Sequence, residues 1–405
     1  MKPCILIVTD YFLPGYKGGG PIRSIANMVQ NLKDDFDFRV LTTDRDLKDE
    51  APYTGIPSDQ WVDRPDCPVC YLSPRGQNLT SLAGRIREIR SEILYLNGVF
   101  SKLVVRTLLL YRAGRLGAQN VVLAPRGMLA PGSLYLKRWK KIPYLMLTKK
   151  MGFYRYIIWH ASSDIEAQDI QIHFPDAVIY SGTPIPGVGK VAIIKAMDLH
   201  SSASMNNDGP LLEMVKEPGI ARFVFLSRIS KVKNLVGALD ILSRVSGNIY
   251  FAILGPIEDG AYWRKCQKMI ERMPDNVNIH YGGPVPPDQT VRLLGKYQFF
   301  LLLSHGENFG HVIVEALTAG LPVIISDRTP WRNLEREGVG WDLDLSDERL
   351  ILETIDHCVR MGAKEYRRMS FNAKMLALNI HGIETARKQN IILFRETLRL
   401  SPGGR

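Results

Sequence analysis

Short apolar runs recur along the chain, and longer stretches of mixed polar and apolar residues separate them. Each run has the length of a buried strand, whereas the stretches between them have the spacing of helices with one apolar face. The predicted strands cover residues 5–9, 38–42, 92–96, 121–124, 156–159, 223–226, 249–254, 277–281, 299–303 and 323–326. Strands that alternate with helices predict an α/β protein with two doubly wound parallel sheets.

This alternation is interrupted twice. Residues 44–74 are polar and rich in Pro and Asp, and we predict a long irregular excursion there. The pattern weakens again from Ser181 to Gly219, where Gly, Pro, Ser and Asn punctuate the chain. We therefore predict a first domain over 1–182, a linker region over 183–220 and a second domain over 221–382. One long helical pattern then occupies the end of the chain, about residues 383–405.

The stretch 304–317 has the most informative pattern, because it lies between two buried strands and ends at Gly320 and Pro322. A helix that begins near Asn308 would direct the amides of Phe309, Gly310 and His311 into a polar loop, and such a helix start suits an anion. Carboxylates at Glu307 and Glu315 can accept hydrogen bonds from sugar hydroxyls. The alternative is an ordinary strand–helix–strand unit with a solvated glutamate and a packing glycine.

Further candidate groups follow other predicted strands. Arg228 and Lys233 lie just after one strand, where two cations suit a pyrophosphate, although a solvated basic loop has the same composition. Gly255 and the loop before Val285 expose backbone that can contact a flat base. In the first half, Gly19 lies in a glycine-rich turn that allows a phosphate or sugar close to the backbone. Cations, a helix start, exposed backbone and carboxylates together describe a nucleotide-sugar site.

These residues carry a resemblance to a known family. The pattern Gly-Glu-Asn-Phe-Gly-x4-Glu-Ala-Leu-x-Ala-Gly-x-Pro-Val, with seven residues between Glu307 and Glu315, looks like the signature of the group 1 retaining glycosyltransferases, which have the GT-B fold. The second-half landmarks at Arg228, Lys233 and Gly255 follow that family's order. Weaker first-half landmarks are Gly18–Gly20, Arg126-Gly127 and residues 160–166.

The resemblance implies two Rossmann-like domains that face each other across a cleft, with the C-terminal helix crossing back to the first domain. It implies that Arg228 and Lys233 bind the donor pyrophosphate and that Glu307 contacts the transferred sugar near its anomeric centre. Glu315 would hold the ribose, Val285 would offer its backbone to the base, and the amides from Asn308 to His311 would meet the phosphates or sugar. No cofactor and no metal ion are expected.

One departure concerns the acceptor side. Many relatives carry a histidine at the strand end where this chain has Asn97, and the sequence holds no histidine before His160. An amide can hydrogen bond but cannot transfer a proton. Asn97 and Arg126 therefore remain candidate acceptor-side residues without an assigned chemical role.

Acidic pairs and cysteines provide little evidence for a metal or redox site. The Asp-x-Asp triplets at 35–37, 44–46 and 342–344 can hold Mg²⁺ elsewhere, but none lies at the inferred pyrophosphate site, so we predict surface turns. Cys67 and Cys70 have a metal-knuckle or redox spacing, yet no second pair completes a zinc site. We predict no metal.

Positive charge is concentrated in one part of the chain. The net charge is +11, and the span between Glu92 and Asp164 contains basic residues but no acidic ones. Within it, residues 134–156 mix basic, aromatic and aliphatic side chains, as segments at a membrane interface do. A solvated basic face is the alternative, and a nucleic-acid site lacks a matching motif. We predict docking on an anionic membrane.

Together these features predict a cytoplasmic, metal-independent retaining glycosyltransferase at the inner face of the cell membrane. It would use a UDP- or GDP-sugar and a lipid-linked or other saccharide acceptor in surface polysaccharide assembly. No apolar run is long enough to span a membrane, and the N-terminal run is too short for a signal peptide. Two alternatives remain open, namely a sugar-nucleotide epimerase and a catalytically silent nucleotide-sugar-binding protein.

Overall fold

The computed structural model describes residues 2–117, 120–135, 138–179, 192–199, 215–379 and 382–399. It forms two compact units. The first comprises Met1–His200 together with Gly382–Arg405, and the second comprises Ser201–His381. The predicted boundary between residues 182 and 183 lies outside the described residues.

The first unit is built on a sheet in which all described strands are parallel except the edge strand β3. Its order is β3-β4-β2-β1-β5-β6-β7-β9-β8. The strands are β1 Cys4–Val8, β2 Asp37–Thr43, β3 Trp61–Val62, β4 Val69–Leu72, β5 Ile93–Asn97, β6 Asn120–Ala124, β7 Ile157–Ala161, β8 Val178–Ile179 and β9 Ala192–Lys195. The helices are α1 Gly20–Leu32, α2 Leu79–Ile89, α3 Lys102–Arg112, α4 Pro131–Tyr135, α5 Arg138–Lys150 and α6 Asp164–His173.

Both faces of this sheet are covered because its strands are apolar on both sides. Ile5 and Ile7 of β1 belong to one core cluster, and Leu6 and Val8 belong to the other. Successive side chains of a strand point to opposite faces, so a continuous apolar run requires helices on both.

The last helix, α13 (Gly382–Arg399), belongs to the first unit and packs on α1, β5, β6 and β9. Its buried Leu393 and Phe394 join the cluster that contains Ile5, and Arg387 forms an ion pair with Asp35 at 2.5 Å. The predicted return of the C-terminal helix to the first domain is confirmed.

Two sequence predictions in this unit were wrong. The stretch predicted as an irregular excursion contains β3 and β4, and β4 extends the sheet beside β2. The predicted linker contains β9, which pairs with β7 and β8. Both errors have one cause, since short strands at the side of a sheet lack the long apolar run by which the central strands are recognised.

The second unit is built on a wholly parallel sheet with the order β12-β11-β10-β13-β14-β15. Its strands are β10 Ile220–Leu226, β11 Asn248–Leu254, β12 Val277–Gly283, β13 Phe299–Leu302, β14 Val323–Ser326 and β15 Gly340–Leu343. Its helices are α7 Leu235–Leu242, α8 Gly260–Ile270, α9 Thr290–Leu294, α10 His311–Thr318, α11 Glu348–Arg360 and α12 Ala363–Asn379. Short 3₁₀ turns occupy Lys231–Lys233 and Pro287–Gln289.

This order has its switch point between β10 and β13, which lie side by side although two strands separate them in the chain. Open parallel sheets bind ligands beyond the carboxyl ends of their strands at such a point. The prediction of two doubly wound α/β sheets is confirmed in both units. None of the helices that the structure describes combines the length and the apolar character needed to cross a membrane.

Candidate functional site

The loops at the carboxyl edge of the second sheet carry most of the candidate residues. Arg228 and Lys233 follow β10, Gly255 follows β11, Val285 follows β12, and Glu307 lies between β13 and α10. These strands are all parallel, so their carboxyl ends meet along one edge. The fold therefore brings together side chains that lie up to about eighty residues apart in the chain.

Lys233 and Glu307 form a close ion pair at the centre of this edge. Lys233 Nζ lies 2.5 Å from Glu307 Oε2, and the two side chains are only 10% and 16% exposed. Lys233 ends the 3₁₀ turn, and the next residue, Asn234, caps α7 by accepting a hydrogen bond from Gly237 N at 3.3 Å. The backbone holds the lysine and the glutamate close to each other, because His305 N donates to Val232 O at 2.7 Å.

Arg228 is also held by a carboxylate. Its Nη1 donates to Glu258 Oε1 at 2.9 Å, and both side chains remain about one-third exposed. The bridge between Ile229 and Ile257 brings the two loops together. Glu258 was absent from the predicted site, although a carboxylate just beyond a predicted strand end was a signal that could have found it.

The predicted start of the helix after Glu307 was wrong by a few residues. The helix α10 begins at His311, and Gly310 is its N-cap with φ 79° and ψ 52°. This left-handed conformation favours glycine, and a Cβ there would lie 2.8 Å from Ile313 Cδ1. The amides of Phe309 and Gly310 therefore lie before the first residue of the helix. The Gly310 carbonyl accepts a hydrogen bond from Ile313 N at 2.8 Å.

The neighbouring candidates are half-buried, except His311, which is buried. Phe309 is half-buried and its ring lies 4.8 Å from that of the buried His311. Asn308 is half-buried too, and its Oδ1 is a buried acceptor without a hydrogen-bond partner among the described residues. Glu315 lies in the second turn of α10 and is half-buried.

Gly255 and Val285 have different surroundings. Gly255 has φ 126°, and a Cβ there would lie 2.0 Å from Ser227 O. Its N–H donates to Gly283 O at 2.7 Å and its carbonyl accepts from Tyr281 Oη at 3.1 Å. Close packing therefore accounts for this glycine. Val285 is half-buried against the core, and its contact with a base stays a prediction.

The Asp46 carboxylate holds the glycine-rich turn of the first unit by accepting two backbone hydrogen bonds. Gly19 is the N-cap of α1, with φ 75°. Asp46 Oδ2 accepts from Tyr16 N at 2.7 Å and from Lys17 N at 2.9 Å. Asp46 and Asp44 are each only 3% exposed, so the predicted surface turn at 44–46 was wrong, and these aspartates order loops instead.

Arg126 and Asn97 belong to a buried polar network in the first unit. Arg126 Nε donates to Asn97 Oδ1 at 2.8 Å, its Nη2 donates to Tyr95 Oη at 2.8 Å, and its Nη1 pairs with Asp198. The Asn97 amide donates to Thr9 Oγ1 at 3.4 Å. Both predicted acceptor-side residues thus use their polar groups within the unit. The sequence did not reveal Asp198 as the partner, because that residue follows the unpredicted strand β9.

The same network continues through His160. Tyr95 Oη and His160 Nδ1 lie 2.6 Å apart, and His160 Nε2 lies 2.7 Å from Ala196 O. A carbonyl can only accept, so Nε2 carries the proton and Nδ1 accepts from the tyrosine. Burial and then the Arg126 charge lower the pKa of His160 to about 4. The imidazole is therefore neutral at neutral pH, and it joins β5, β7 and the segment after β9.

No group of three or more His, Cys, Asp or Glu side chains that could hold a metal ion is present in the described part of the chain. Cys67 and Cys70 are buried thiols that belong to different core clusters on opposite faces of the sheet. Burial raises the pKa of Cys67 to about 12 and that of Cys70 to about 11. Neither is a reactive thiolate at neutral pH.

The basic segment of the first unit exposes large apolar side chains beside its lysines. Tyr135, Trp139 and Met146 are 76%, 74% and 69% exposed. Lys140 Nζ lies 4.6 Å from the centre of the Trp139 ring. Two of the other lysines are tied to the unit's own carbonyls, since Lys141 Nζ donates to Ser133 O at 2.6 Å and Lys149 Nζ to His173 O at 3.0 Å.

A family model of known proteins matches the second unit. The family model described as Glycosyl transferases group 1 matches residues 215–375, which are nearly all of the described part of that unit. Comparison with curated protein sequences finds no match.

Solved structures match the whole chain at low identity. HepE from Anabaena, in complex with UDP and glucose, is 14% identical with a TM-score of 0.66, over 97% of this chain and 99% of that chain. Sucrose-phosphate synthase from Thermosynechococcus elongatus is 13% identical with a TM-score of 0.67, over 98% and 100%. WaaG, a glycosyltransferase involved in lipopolysaccharide biosynthesis, is 12% identical with a TM-score of 0.60, over 96% and 99%. The chain therefore has the GT-B fold of these structures, and its residues 215–375 match the family model of the group 1 glycosyltransferases.

Proposed function

We propose that the chain transfers a glycosyl group from a UDP- or GDP-sugar to an acceptor, with retention of the anomeric configuration. The observation that carries this proposal is the close, largely buried pair of Lys233 and Glu307 beside the Gly310-capped start of α10. A cation and a helix start suit a diphosphate, and a carboxylate at the same place suits the hydroxyls of the sugar attached to it. HepE, which shares the fold, was solved with UDP-glucose.

In this proposal Lys233 and Arg228 stabilise the leaving nucleoside diphosphate. The bond between the anomeric carbon and the β-phosphate oxygen breaks, and the acceptor hydroxyl oxygen bonds to that carbon. The hydroxyl proton passes to the leaving diphosphate, on whose oxygens negative charge grows. Cations fixed in place before the reaction stabilise that charge without reorganisation. Glu307 and Glu258 hold these cations before the donor arrives, at 2.5 Å and 2.9 Å. Glu307 then contacts the sugar near its anomeric carbon, and Glu315 holds the ribose.

In this proposal Lys233 and Arg228 stabilise the pyrophosphate without a metal ion. A metal-dependent enzyme would lose turnover in EDTA and regain it with Mg²⁺ or Mn²⁺. We expect unchanged turnover in both conditions, measured as release of the nucleoside diphosphate.

We further propose that the acceptor is a lipid-linked saccharide used in surface polysaccharide assembly, and that α5 and its neighbours dock on the cytoplasmic face of an anionic membrane. The support is the exposed mixture of Trp139, Met146 and Leu147 with Lys140 and Lys150. Apolar side chains at the interface and lysines near anionic headgroups both favour membrane binding.

A vesicle experiment tests the membrane proposal. The chain should sediment with anionic vesicles and stay in the supernatant with neutral ones. Lys140→Glu with Lys150→Glu should weaken that binding by at least about tenfold, because each lysine contributes about 1 kcal/mol near a charged surface. Both side chains are exposed, so the fold should tolerate the change. Lys268→Glu with Lys296→Glu, exposed lysines of the second unit, is the matched control. Equal binding to both vesicle types would refute the proposal.

A panel of sugar nucleotides tests the donor. A ligand that binds only the folded protein raises its apparent melting temperature, so the donor should stand out in a thermal-shift screen. Purified protein that isomerises a sugar nucleotide without any acceptor would instead be an epimerase. A protein that binds but converts none, and whose Glu307→Gln and Lys233→Ala variants leave the cellular polysaccharide unchanged, would be the silent binding protein.

A further inference from the structure

The loop after β14, residues 327–332, contacts the Glu307 loop at several backbone positions. Glu307 N donates to Arg328 O at 3.1 Å, and Trp331 Nε1 donates to Phe309 O at 2.7 Å. One residue earlier, the buried Ser326 Oγ donates to Ser304 O at 2.5 Å. These bonds hold the start, the middle and the end of the segment that carries Glu307.

Trp331 is itself fixed. Its backbone N–H donates to Thr329 Oγ1 at 3.2 Å, and Thr329 is fully buried. The half-buried indole packs against the core of the unit, and its ring centre lies 6.3 Å from that of Phe309. The indole N–H therefore has a defined direction, and it reaches the carbonyl just before Gly310.

The segment that carries Glu307 needs hydrogen bonds from the neighbouring loop because its own backbone contains two glycines. Gly306 and Gly310 stand on either side of Glu307, and glycine has more accessible backbone conformations than other residues. A Cβ at Gly306 would meet no atom within 4 Å, so packing does not restrict the loop at that point. Backbone hydrogen bonds to the neighbouring loop supply the restriction instead.

We propose that Trp331 is a positioning residue for the reaction, acting through the Phe309 carbonyl to hold Glu307 and the first turn of α10 in register with Lys233. This proposal rests on the proposed function, because it concerns the step in which the donor sugar is transferred. Trp331 itself touches neither the diphosphate nor the sugar in this account.

The position of Glu307 matters more for transfer than for binding the nucleotide. A catalytic group displaced by about 1 Å can cost roughly a hundredfold in rate. The nucleoside diphosphate alone is held by Arg228, Lys233 and Glu315 in the proposed mode. A loosened loop should therefore lower kcat while leaving the affinity for UDP or GDP nearly unchanged.

Trp331→Phe tests this directly, since phenylalanine keeps an aromatic ring against Phe309 but removes the indole N–H. We expect kcat for transfer to fall about tenfold to a hundredfold, while the dissociation constant of the free nucleoside diphosphate changes by less than about threefold. Trp341→Phe is the control, because Trp341 is a buried tryptophan of the same unit that packs near His357, 5.9 Å between ring centres. Equal kcat values for the two variants would overturn the proposal.

A second measurement does not depend on catalysis. Hydrogen exchange of the ligand-free protein should be about tenfold faster over residues 304–310 in Trp331→Phe than in the wild type, and unchanged there in Trp341→Phe. Unchanged exchange over this segment would overturn the positioning role even if no donor were ever found. If the wild type converts no sugar nucleotide but exchange rises in Trp331→Phe as expected, the proposed function is refuted. The role of Trp331 in holding the segment is then still supported.

Discussion

Lys233 and Glu307 pair at 2.5 Å, although they lie 74 positions apart in the chain. A buried ion pair gains little net stability, because desolvation offsets the attraction between the two charges. In the proposed function the pair keeps a cation where the diphosphate binds, with a carboxylate that can turn to hydroxyl groups.

Replacing Lys233 by alanine should impair turnover. We expect kcat to fall roughly a hundredfold to a thousandfold, the usual loss when one donor to a developing oxyanion is removed. Lys231→Ala is the matched control, since Lys231 lies in the same 3₁₀ turn but is exposed. Steady-state kinetics on both variants measures the difference. Similar kcat values for the two would exclude the proposed role of Lys233.

The buried His160 should make the free energy of unfolding depend on pH. Its pKa in the folded protein is lowered to about 4, whereas the value in the unfolded chain is the ordinary 6.5. Above pH 6.5 neither state binds the proton. As the pH falls from 6.5 to 4 only the unfolded chain binds it, so the free energy of unfolding decreases by about 3 kcal/mol.

His160→Gln removes this titration. We expect the stability difference between wild type and variant to shrink between pH 6.5 and 4, measured by urea unfolding of the first unit at each pH. A difference that stays constant, or grows, over that window would contradict a neutral buried imidazole.

Arg126 connects several secondary-structure elements of the first unit. Its guanidinium joins the ends of β5 and β6 to Asp198, which follows β9. Asp198 also accepts from Ser24 Oγ of α1 at 2.9 Å. The network thus ties several strands and one helix together at the carboxyl edge of the first sheet.

Arg126→Met should destabilise the first unit by about 3–5 kcal/mol, because it leaves the Asp198 carboxylate buried without its cation. Arg115→Met, at an exposed arginine of the same unit, should change the free energy of unfolding by less than about 0.5 kcal/mol. Denaturant unfolding followed by circular dichroism compares the two. A small effect at Arg126 would leave an acceptor-side role as the better explanation of that residue.

Sequence patterns predicted the central elements well because buried parallel strands are continuous apolar runs. They predicted β10, β11, β13 and β14 within a few residues. They missed β3 and β9, since short strands at the side of a sheet depend on neighbours that are distant in sequence. The start of α10 was misplaced because a left-handed glycine delays the helix until His311.

The two units have the same strand order around their central strands, since β4-β2-β1-β5-β6-β7 in the first corresponds to β12-β11-β10-β13-β14-β15 in the second. They differ in the side chains at the carboxyl edge of the sheet. In the second unit the edge presents cations and carboxylates of opposite charge that are partly exposed. In the first unit the corresponding loops contain a buried, internally satisfied network. Motifs found the candidate donor residues, and the position of Glu258 just beyond a predicted strand end was a further signal. The pairing of Asp198 with Arg126 depends on a tertiary contact that sequence spacing does not reveal.

The proposed reaction is the transfer of a sugar from a nucleoside diphosphate, with Glu307 at the reacting end. The most direct measurement is the release of UDP or GDP from sugar nucleotides by the wild type and by Glu307→Gln, together with calorimetry of UDP or GDP binding to both. We expect turnover in the variant to fall at least about a hundredfold, while the free nucleoside diphosphate binds at least as tightly, because Lys233 no longer has an anionic partner. Undiminished turnover by Glu307→Gln, or weaker diphosphate binding in step with lost turnover, would contradict the account.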